Sequence, residues 1–197
     1  MTGGIAFNVD SVSPGKLGNA LQFNGSTDYV AIGNTSNLQL TTALTISAWI
    51  KGNSWGAGSD VDVIIRKGEE SPNNYELAIT DGQVALYLDD TDGGGFRGNT
   101  VLQTGNWYHV AATWDGANVR IYVNGVLDQA VPSLKSAPIG MDSRPLYIGG
   151  RAGADLFDGV LDDVRLLSYA LTADEVKLLK GTGQPKGVRI IKWVEVQ

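Results

Sequence analysis

Short apolar runs separated by turn-forming dipeptides recur along the chain, and residues 107–125 show this pattern most clearly. Two runs rich in β-branched and aromatic residues, 107–114 and 119–123, flank Asp115-Gly116. Asp-Gly pairs tolerate the positive φ that tight hairpin turns require. The segment therefore predicts consecutive antiparallel strands joined by a hairpin turn.

Eight further strands are predicted by the same signals, and Asp81-Gly82 and Asn124-Gly125 mark two more tight turns. The predicted strands are residues 20–23, 29–32, 44–51, 63–66, 75–80, 83–88, 146–148 and 159–167. Regular short strands between turn residues, without alternating helices, indicate an all-β sandwich of two antiparallel sheets rather than a parallel α/β sheet.

One short helix is predicted close to the C-terminal end of the sandwich. Thr172 as N-cap and Glu175 at the third helical position have the spacing of a capping box. Gly181 is placed to end the helix. We expect this helix to pack at a sheet edge.

The 197 residues predict one sandwich domain with a short segment at each end. Residues 1–16 are interpreted as an N-terminal arm or first strand, residues 17–180 as the domain, and residues 181–197 as an extension or edge strand. The apolar, β-rich run within the last segment fits an edge strand, and a contact element for another subunit is the alternative.

Charge and composition exclude several classes of partner. The formal net charge is −6, and phosphate backbones and anionic lipids are bound by clustered Lys and Arg, so nucleic acid and membrane surfaces are not expected partners. No apolar run approaches the length of a membrane span, which argues against membrane insertion. With no cysteine, disulfides and thiolate metal sites are excluded.

The N-terminal residues lack the basic and apolar regions of a signal peptide. Two locations therefore stay open. The chain is an excised module of an extracellular or cell-surface protein, or it is a protein that is made and used without secretion, such as a virion component.

Five segments in this order resemble the laminin G-like, concanavalin A-like jelly-roll superfamily over about residues 17–180. The segments are residues 17–30, 45–50, 107–125, 159–166 and 169–176. The resemblance implies two antiparallel sheets of six or seven strands each, one of them concave, with loops at the rim.

Some members of that superfamily are glycoside hydrolases or polysaccharide lyases, and the hydrolases carry a Glu-x-Asp-x-x-Glu strand pattern. Retaining hydrolysis needs two carboxyl groups about 5 Å apart. The sequence lacks this pattern, and the Asp60/Asp62 and Asp90/Asp92 pairs fall in glycine-rich loops. His109, the single histidine, lies within a predicted strand and is interpreted as structural. We therefore predict a protein that is not an enzyme.

A structural calcium ion is a possible cofactor. The resemblance implies that Asp162 supplies a ligand, with backbone carbonyl groups near Asn24 as companions and Asp28 as a further candidate. Calcium prefers carboxylate and carbonyl oxygens in flexible geometry. The alternative is that Asp162 or its neighbour Asp163 pairs with Arg165 or caps a turn.

Ligand-binding candidates are polar and aromatic residues in or near glycine- and aspartate-rich loops, where such scaffolds carry function. An indole in the loop after the strand at 44–51 has no strand of its own, which predicts exposure. The candidate residues at the rim are Trp55, Tyr75, Asp89, Phe96, Arg97 and Arg151.

The favoured function is a non-enzymatic binding or adhesion module that recognises glycan or cell-surface material. The alternative is a structural virion protein, such as a phage decoration, tail or fibre protein. In that case residues 1–16 and the segment after Gly181 would contact protein partners in a larger assembly. A hydrolase or lyase is the third hypothesis.

Overall fold

The structure, a computed structural model, describes residues 5–8, 11–56, 60–68, 74–89, 95–151 and 153–181. Fourteen strands and one α-helix lie within these residues. In chain order the strands are β1 (Ile5–Asn8), β2 (Ser11–Pro14), β3 (Asn19–Asn24), β4 (Tyr29–Ile32), β5 (Leu44–Gly52), β6 (Val61–Lys67), β7 (Tyr75–Thr80), β8 (Gln83–Leu88), β9 (Phe96–Val101), β10 (Tyr108–Trp114), β11 (Asn118–Val123), β12 (Val126–Pro132), β13 (Leu146–Ile148) and β14 (Asp158–Leu167).

The strands form two seven-stranded antiparallel sheets. The first sheet has the order β1-β4-β13-β6-β7-β8-β9, and the second has the order β12-β11-β10-β5-β14-β3-β2. This arrangement confirms the predicted two-sheet sandwich with six or seven strands in each sheet.

Alternate residues of each strand fill the space between the sheets. On β7, for example, Tyr75, Leu77 and Ile79 belong to the core, while Glu76 and Thr80 point to the other side of the sheet. Burial of one face is what fixes the register of such strands.

The predicted tight turns carry positive φ angles. Asp81 and Gly82 between β7 and β8 have φ of 51° and 76°, and Asn124 and Gly125 between β11 and β12 have 54° and 77°. Two consecutive residues with positive φ are the mark of the type I′ turn, whose twist matches a hairpin. The dipeptides therefore located these hairpins correctly.

Helix α1 (Ala173–Leu179) begins with the predicted capping box: the backbone N–H of Glu175 donates to the Thr172 hydroxyl, and the Glu175 carboxylate accepts from the Thr172 N–H. Its buried residues Val176 and Leu179 pack on the outer face of the second sheet, near the β12 edge. Among the described residues, no helix has the length and hydropathy needed to cross a membrane.

Two strands, β9 and β12, have no counterpart among the predicted ones. Strands β1 and β2 lie within residues 1–16, the predicted N-terminal arm or first strand, and they place one edge strand in each sheet. Strand β12 has no fully buried residue, so its sequence carries no apolar alternation that could mark it. The predicted extension after Gly181 lies outside the described residues.

Candidate ligand-binding cleft and outer polar face

A cleft of about 290 Å³ lies at one end of the sandwich, where loops from both sheets meet. We call it the end cleft. Its lining includes Trp55, which follows β5, and Asp60 and Asp62 near the start of β6. Asp155 approaches from the segment that leads into β14. An aromatic ring beside a few convergent polar groups is the usual composition of a ligand site.

Trp55 is half-buried rather than exposed as the sequence predicted. Its ring lies on Gly52, where a Cβ atom would be 2.2 Å from the ring, and meets the edge of Phe157 at 6.1 Å between centroids. The indole Nε1 donates to the carbonyl oxygen of Leu102 at 2.9 Å. The missing side chain of Gly52 creates the space that fixes the indole in the cleft wall.

Asp62 is a carboxyl group at a core-facing position. It pairs with the core residue Ile79 across the sheet and is only 6% exposed. Its Oδ2 accepts the backbone N–H of Gly56 at 2.8 Å. Burial raises the pKa of Asp62 to about 6; the Gly56 N–H opposes this shift, and the charges of Asp158 and Asp60 add to it. Near neutral pH the cleft wall therefore contains a carboxyl group close to its titration point.

Asp158 holds the loop that carries Trp55. Its two carboxylate oxygens accept from the side chains of Asn53 and Ser54, each at 2.9 Å. The loop is thereby fixed to the first residue of β14, which gives the cleft a preformed wall.

Asp155 is positioned by two arginines. Its Oδ2 lies 3.3 Å from Arg66 Nη1 and 3.2 Å from Arg151 Nε, and Arg66 Nη1 also contacts Glu76 Oε2 at 3.1 Å. The Arg66 and Glu76 side chains are 9% and 5% exposed. Buried ion pairs are stable only with such multiple contacts, so this network fixes the Asp155 carboxylate at the cleft.

The network continues across the outer face of the first sheet. Strand pairing places Tyr147, Arg66, Glu76 and Tyr87 in one row over β13, β6, β7 and β8. The Tyr147 ring also meets Tyr29 at 6.1 Å between centroids. We call these five residues, together with Arg97, the outer polar face. Arg66 Nε on this face is buried without a hydrogen-bond partner.

Arg97 lies at the far side of the same face, and Arg151 at its border with the cleft. Arg97 Nη1 contacts Asp81 Oδ2 at 2.9 Å. The Tyr87 hydroxyl lies 2.9 Å from Thr80 Oγ1, and burial raises the pKa of Tyr87 while its hydrogen bonds to Thr80 and Arg97 lower it. Of the two arginines singled out in the sequence, Arg97 thus belongs to the outer polar face, and Arg151 is connected to that face through Asp155, which Arg66 also contacts.

Two of the predicted rim residues are core residues, so their predicted position is wrong. Tyr75 is fully buried on β7, and its hydroxyl donates to the Leu38 carbonyl oxygen at 3.0 Å. Burial raises its pKa. Phe96 is 7% exposed and points into the core from β9. Each lies next to loop residues in the sequence, but its place in the strand alternation points it inward.

Asp89 lies at the other end of the sandwich from the end cleft. It follows Leu88, which pairs with Tyr75, whereas the cleft lies near the opposite end of β7. Asp89 has a φ of 55°, and its Oδ1 accepts the backbone N–H of Gly140 at 2.8 Å. Its role in the described structure is to connect two loops.

The three predicted calcium ligands do not form one site. Asn24 pairs with Asp158 on β14, and Asp162 is four residues further along, about 13 Å at the usual rise of a strand. Asp162 Oδ2 instead accepts the backbone N–H of Leu17 at 2.7 Å. Asp28 Oδ2 accepts the N–H of Asn24 at 3.1 Å.

In the part of the chain that the structure describes, no group of three or more ligating acidic or histidine side chains could hold a metal ion. The residues named for calcium therefore do not fit a shared ion, because their oxygens serve backbone N–H groups at separate places. Calcium binding itself stays a prediction.

Comparison with known families gives one clear match. The Laminin_G_3 family model, described as the concanavalin A-like lectin/glucanases superfamily, matches residues 24–177. This range contains the end cleft and the outer polar face. No curated protein matches the chain in sequence.

Solved structures with the same fold include domain 4 of AbnA, a GH43 extracellular arabinanase from Geobacillus stearothermophilus, in complex with arabinotriose. It is 21% identical, with a TM-score of 0.68 over 91% of this chain and 88% of that chain.

Two toxin binding domains are also similar. The binding domain of Paraclostridial Mosquitocidal Protein 1 is 14% identical, with a TM-score of 0.69 over 90% of this chain and 47% of that chain. The binding domain of Botulinum neurotoxin DC, in complex with rat synaptotagmin II, is also 14% identical. Its TM-score is 0.69 over 90% of this chain and 46% of that chain. This chain spans about half the length of these two domains, and at such identities the likeness shows the fold alone.

Proposed function

Because the chain belongs to the concanavalin A-like lectin/glucanases superfamily, we propose that it is a non-enzymatic module that binds glycan in the end cleft. The observation that carries the proposal is the lining of that cleft, which brings Trp55 together with Asp60, Asp62 and Asp155. An aromatic ring offers an apolar surface to a sugar ring, and carboxylates accept hydrogen bonds from its hydroxyl groups.

The outer polar face supports the same proposal. Arg66 holds Asp155 at the cleft and keeps a buried Nε–H without an acceptor. Saccharide hydroxyl groups both donate and accept, so they suit a surface on which carboxylates and guanidinium groups alternate.

A binding role rather than hydrolysis fits the way the carboxylates are held. Asp155 contacts two guanidinium groups and Asp158 accepts two side-chain hydrogen bonds. These contacts hold both carboxyl groups in place, whereas hydrolysis requires an acid and a base or nucleophile at a fixed separation. The work of these two residues is to shape the cleft.

The experiment is a glycan array followed by calorimetric titration of the best ligand. Asp60→Ala and Trp55→Phe are expected to weaken binding about tenfold, the effect of losing roughly 1.4 kcal/mol. Asp174→Asn, an acidic residue of α1 far from the cleft, is the matched control and should bind normally.

Failure to bind any glycan would overturn the proposal. Equal affinity in all three variants would remove the end cleft as the site, and release of new reducing ends from a bound polysaccharide would show an enzyme instead.

The proposal includes an extracellular or cell-surface location with a carbohydrate partner, which is supported by the arabinotriose complex of a similarly folded domain from an extracellular enzyme. The alternative of a virion protein depends on contacts made by residues 1–16 and 182–197. Residues 182–197 lie outside the described residues, and that function stays a prediction.

A further inference from the structure

Among the described residues, four neighbouring polar side chains on the outer face of the second sheet each keep a buried atom without a hydrogen-bond partner, and Thr113 further along β10 is another on this face. The four neighbouring atoms are Ser47 Oγ, Trp49 Nε1, His109 Nδ1 and Arg165 Nη1. Each of the four residues is at least 95% buried. Most buried polar groups in proteins are paired, so four such atoms call for a physical explanation.

These four residues are neighbours and form what we call the buried donor cluster. His109 pairs with Trp49 across β10 and β5, with ring centroids 5.5 Å apart, and Ser47 pairs with Arg165 across β5 and β14. Ser47 and Trp49 are two residues apart on β5 and therefore share a face. Directly opposed side chains have Cβ atoms about 4.5–5.5 Å apart, so Trp49 and Ser47 on the central strand β5 lie beside His109 on one side and Arg165 on the other.

Arg165 presents one remaining edge to this cluster. Its Nε donates to Asp163 Oδ1 at 2.9 Å, and its Nη2 lies 2.7 Å from Asp163 Oδ2 in the same ion pair. This ion pair leaves Nη1 as the nitrogen that points elsewhere. Arg165 Nη1 therefore lacks a partner although the rest of the guanidinium group is held in place.

The cluster is rich in donors and surrounded by cations. The Trp49 indole and the Arg165 guanidinium can only donate, and a serine hydroxyl can donate as well. Burial, with Arg165 and Lys180 adding to it, lowers the pKa of His109 to about 3, so its neutral ring carries one N–H. Lys16 Nζ lies 5.3 Å from the Trp49 ring centroid.

Two carboxylates face the same region: Asp163, paired with Arg165, and Asp162, which pairs with Trp49 across the strands and accepts the Leu17 N–H. With Lys16, Lys180 and Arg165, the local formal charge is one positive unit. This excess favours an anion over a neutral water molecule.

We propose that the buried donor cluster binds one small monovalent anion, of the size of chloride, between Arg165 Nη1, Trp49 Nε1 and the Ser47 hydroxyl. The anion accepts the hydrogen bonds that the protein leaves unmade and offsets the surrounding cations. This site lies on the opposite sheet from the outer polar face and is separate from the proposed glycan function.

The experiment is thermal unfolding of the full chain in sodium chloride and in sodium gluconate at equal ionic strength. A ligand that binds only the folded state raises Tm with its concentration. Chloride is expected to raise Tm by several degrees in a saturable manner. Trp49→Phe and Ser47→Ala, which each remove one donor, should reduce or abolish this chloride-specific rise.

Trp114→Phe is the matched control. Trp114 also has a buried Nε1 without a partner, but it lies in the core between the sheets. The chloride effect should be unchanged in this variant. An equal chloride effect in the Trp49 and Trp114 variants, or none in the wild type, would overturn the proposal.

A crystal grown with bromide provides a second readout that does not depend on the stability of any variant. An anomalous peak within hydrogen-bond distance of Arg165 Nη1 and Trp49 Nε1 is expected. Density without anomalous signal at that place would assign the cluster to buried water and contradict the inference.

Discussion

The two ends of strand β6 each bury an ionisable side chain on the core side of the sheet, and the two are held very differently. Asp62 pairs with Ile79 and Lys67 with Tyr75, both of which are core residues. Residues five apart in a regular strand point to opposite faces. A β-bulge between Val63 and Ile65 inserts one extra residue, and this brings both charged groups to the inner face.

At the Lys67 end the ammonium group is fully buried and is hydrogen-bonded to backbone oxygens. Lys67 is 0% exposed, and its Nζ donates to the backbone carbonyl oxygens of Asp142 and of Arg144, the latter at 2.6 Å. Burial lowers the pKa of Lys67 to about 8, with the charge of Asp142 opposing that shift. The ammonium group thus joins the loop before β13 to the sheet and has a structural role.

At the Asp62 end the charge faces the end cleft. The backbone N–H of Gly56 donates to it, while the charges of Asp60 and Asp158 repel it. A buried carboxyl group that is kept beside like charges in a cleft is typical of functional sites, where affinity matters more than stability. Burial of a charge alone therefore does not mark function; the groups that contact the charge do.

The largest effect on stability is expected from removing the buried ammonium group of Lys67. Lys67→Ala leaves the carbonyl groups of Asp142 and Arg144 without their donor and creates a cavity. We expect a loss of about 4 kcal/mol in the free energy of unfolding, the range of buried truncations and unsatisfied polar groups. Urea unfolding measures this.

Lys177→Ala on the exposed side of α1 is the control for Lys67→Ala and should change stability little. If both lysine variants unfold at the same urea concentration, the structural role of Lys67 is refuted.

At the other end of β6 we expect a substitution of the buried charge to stabilise the protein rather than destabilise it. Asp62→Asn keeps an oxygen for the Gly56 N–H and removes the buried charge, so it should stabilise the protein at pH 7.5 by about 2 kcal/mol. The folded-state pKa of Asp62 is raised, to about 6, above its unfolded value of 3.8. The stability that protonation of Asp62 contributes is therefore fully present below about pH 4, and it is lost as the pH rises through 6.

The measurement for Asp62→Asn is urea unfolding of variant and wild type between pH 4 and 8, compared as a difference. The difference removes the contribution of His109, whose lowered pKa makes both proteins less stable as the pH falls from 6.5 towards 3. A stability difference that is the same at pH 4 and pH 8 would contradict the assigned burial of an ionised Asp62.

The architecture could be predicted from the sequence because its signals are local. Asp81-Gly82 and Asn124-Gly125 adopt the positive φ angles that hairpins need, and Thr172 caps α1 as its spacing requires. These features depend on a few adjacent residues, so tertiary context does not alter them.

The candidate site could be predicted only in part, since it depends on which way each side chain points. Trp55 reaches the end cleft, but Tyr75 and Phe96 point into the core because strand alternation continues up to the loops. Asp62 was placed in a loop, and the bulge that turns it inward depends on pairing with β7, a contact between distant residues. No local pattern encodes that register.

A smaller effect is expected in alkaline solution. The folded-state pKa of Lys67 is lowered, to about 8, so the folded form gives up its proton more readily than the unfolded chain. The unfolded state then binds more protons between about pH 8 and 10.5, and stability rises with pH in that window. Relative to Lys67→Met, the wild type should gain about 1 kcal/mol between pH 7 and 10.

Urea midpoints of the two proteins across that range test the role of Lys67, because ionisation of tyrosines cancels in the difference. A constant difference from pH 7 to 10 would mean that the two carbonyl groups keep Lys67 protonated throughout. Lys67 would then not titrate in this range.

The smallest effect is expected on the pKa of Asp62, at the cleft end of β6. Asp60 is exposed, and its charge is one of the smaller causes that raise the pKa of Asp62. Asp60→Asn should therefore lower the pKa of Asp62 slightly, while salt should weaken the same repulsion in the wild type because exposed charges are screened. Carboxyl chemical shifts of Asp62 followed by NMR titration measure both changes. If neither the variant nor added salt moves this pKa, burial alone raises it, and the like-charge part of the contrast with Lys67 is wrong.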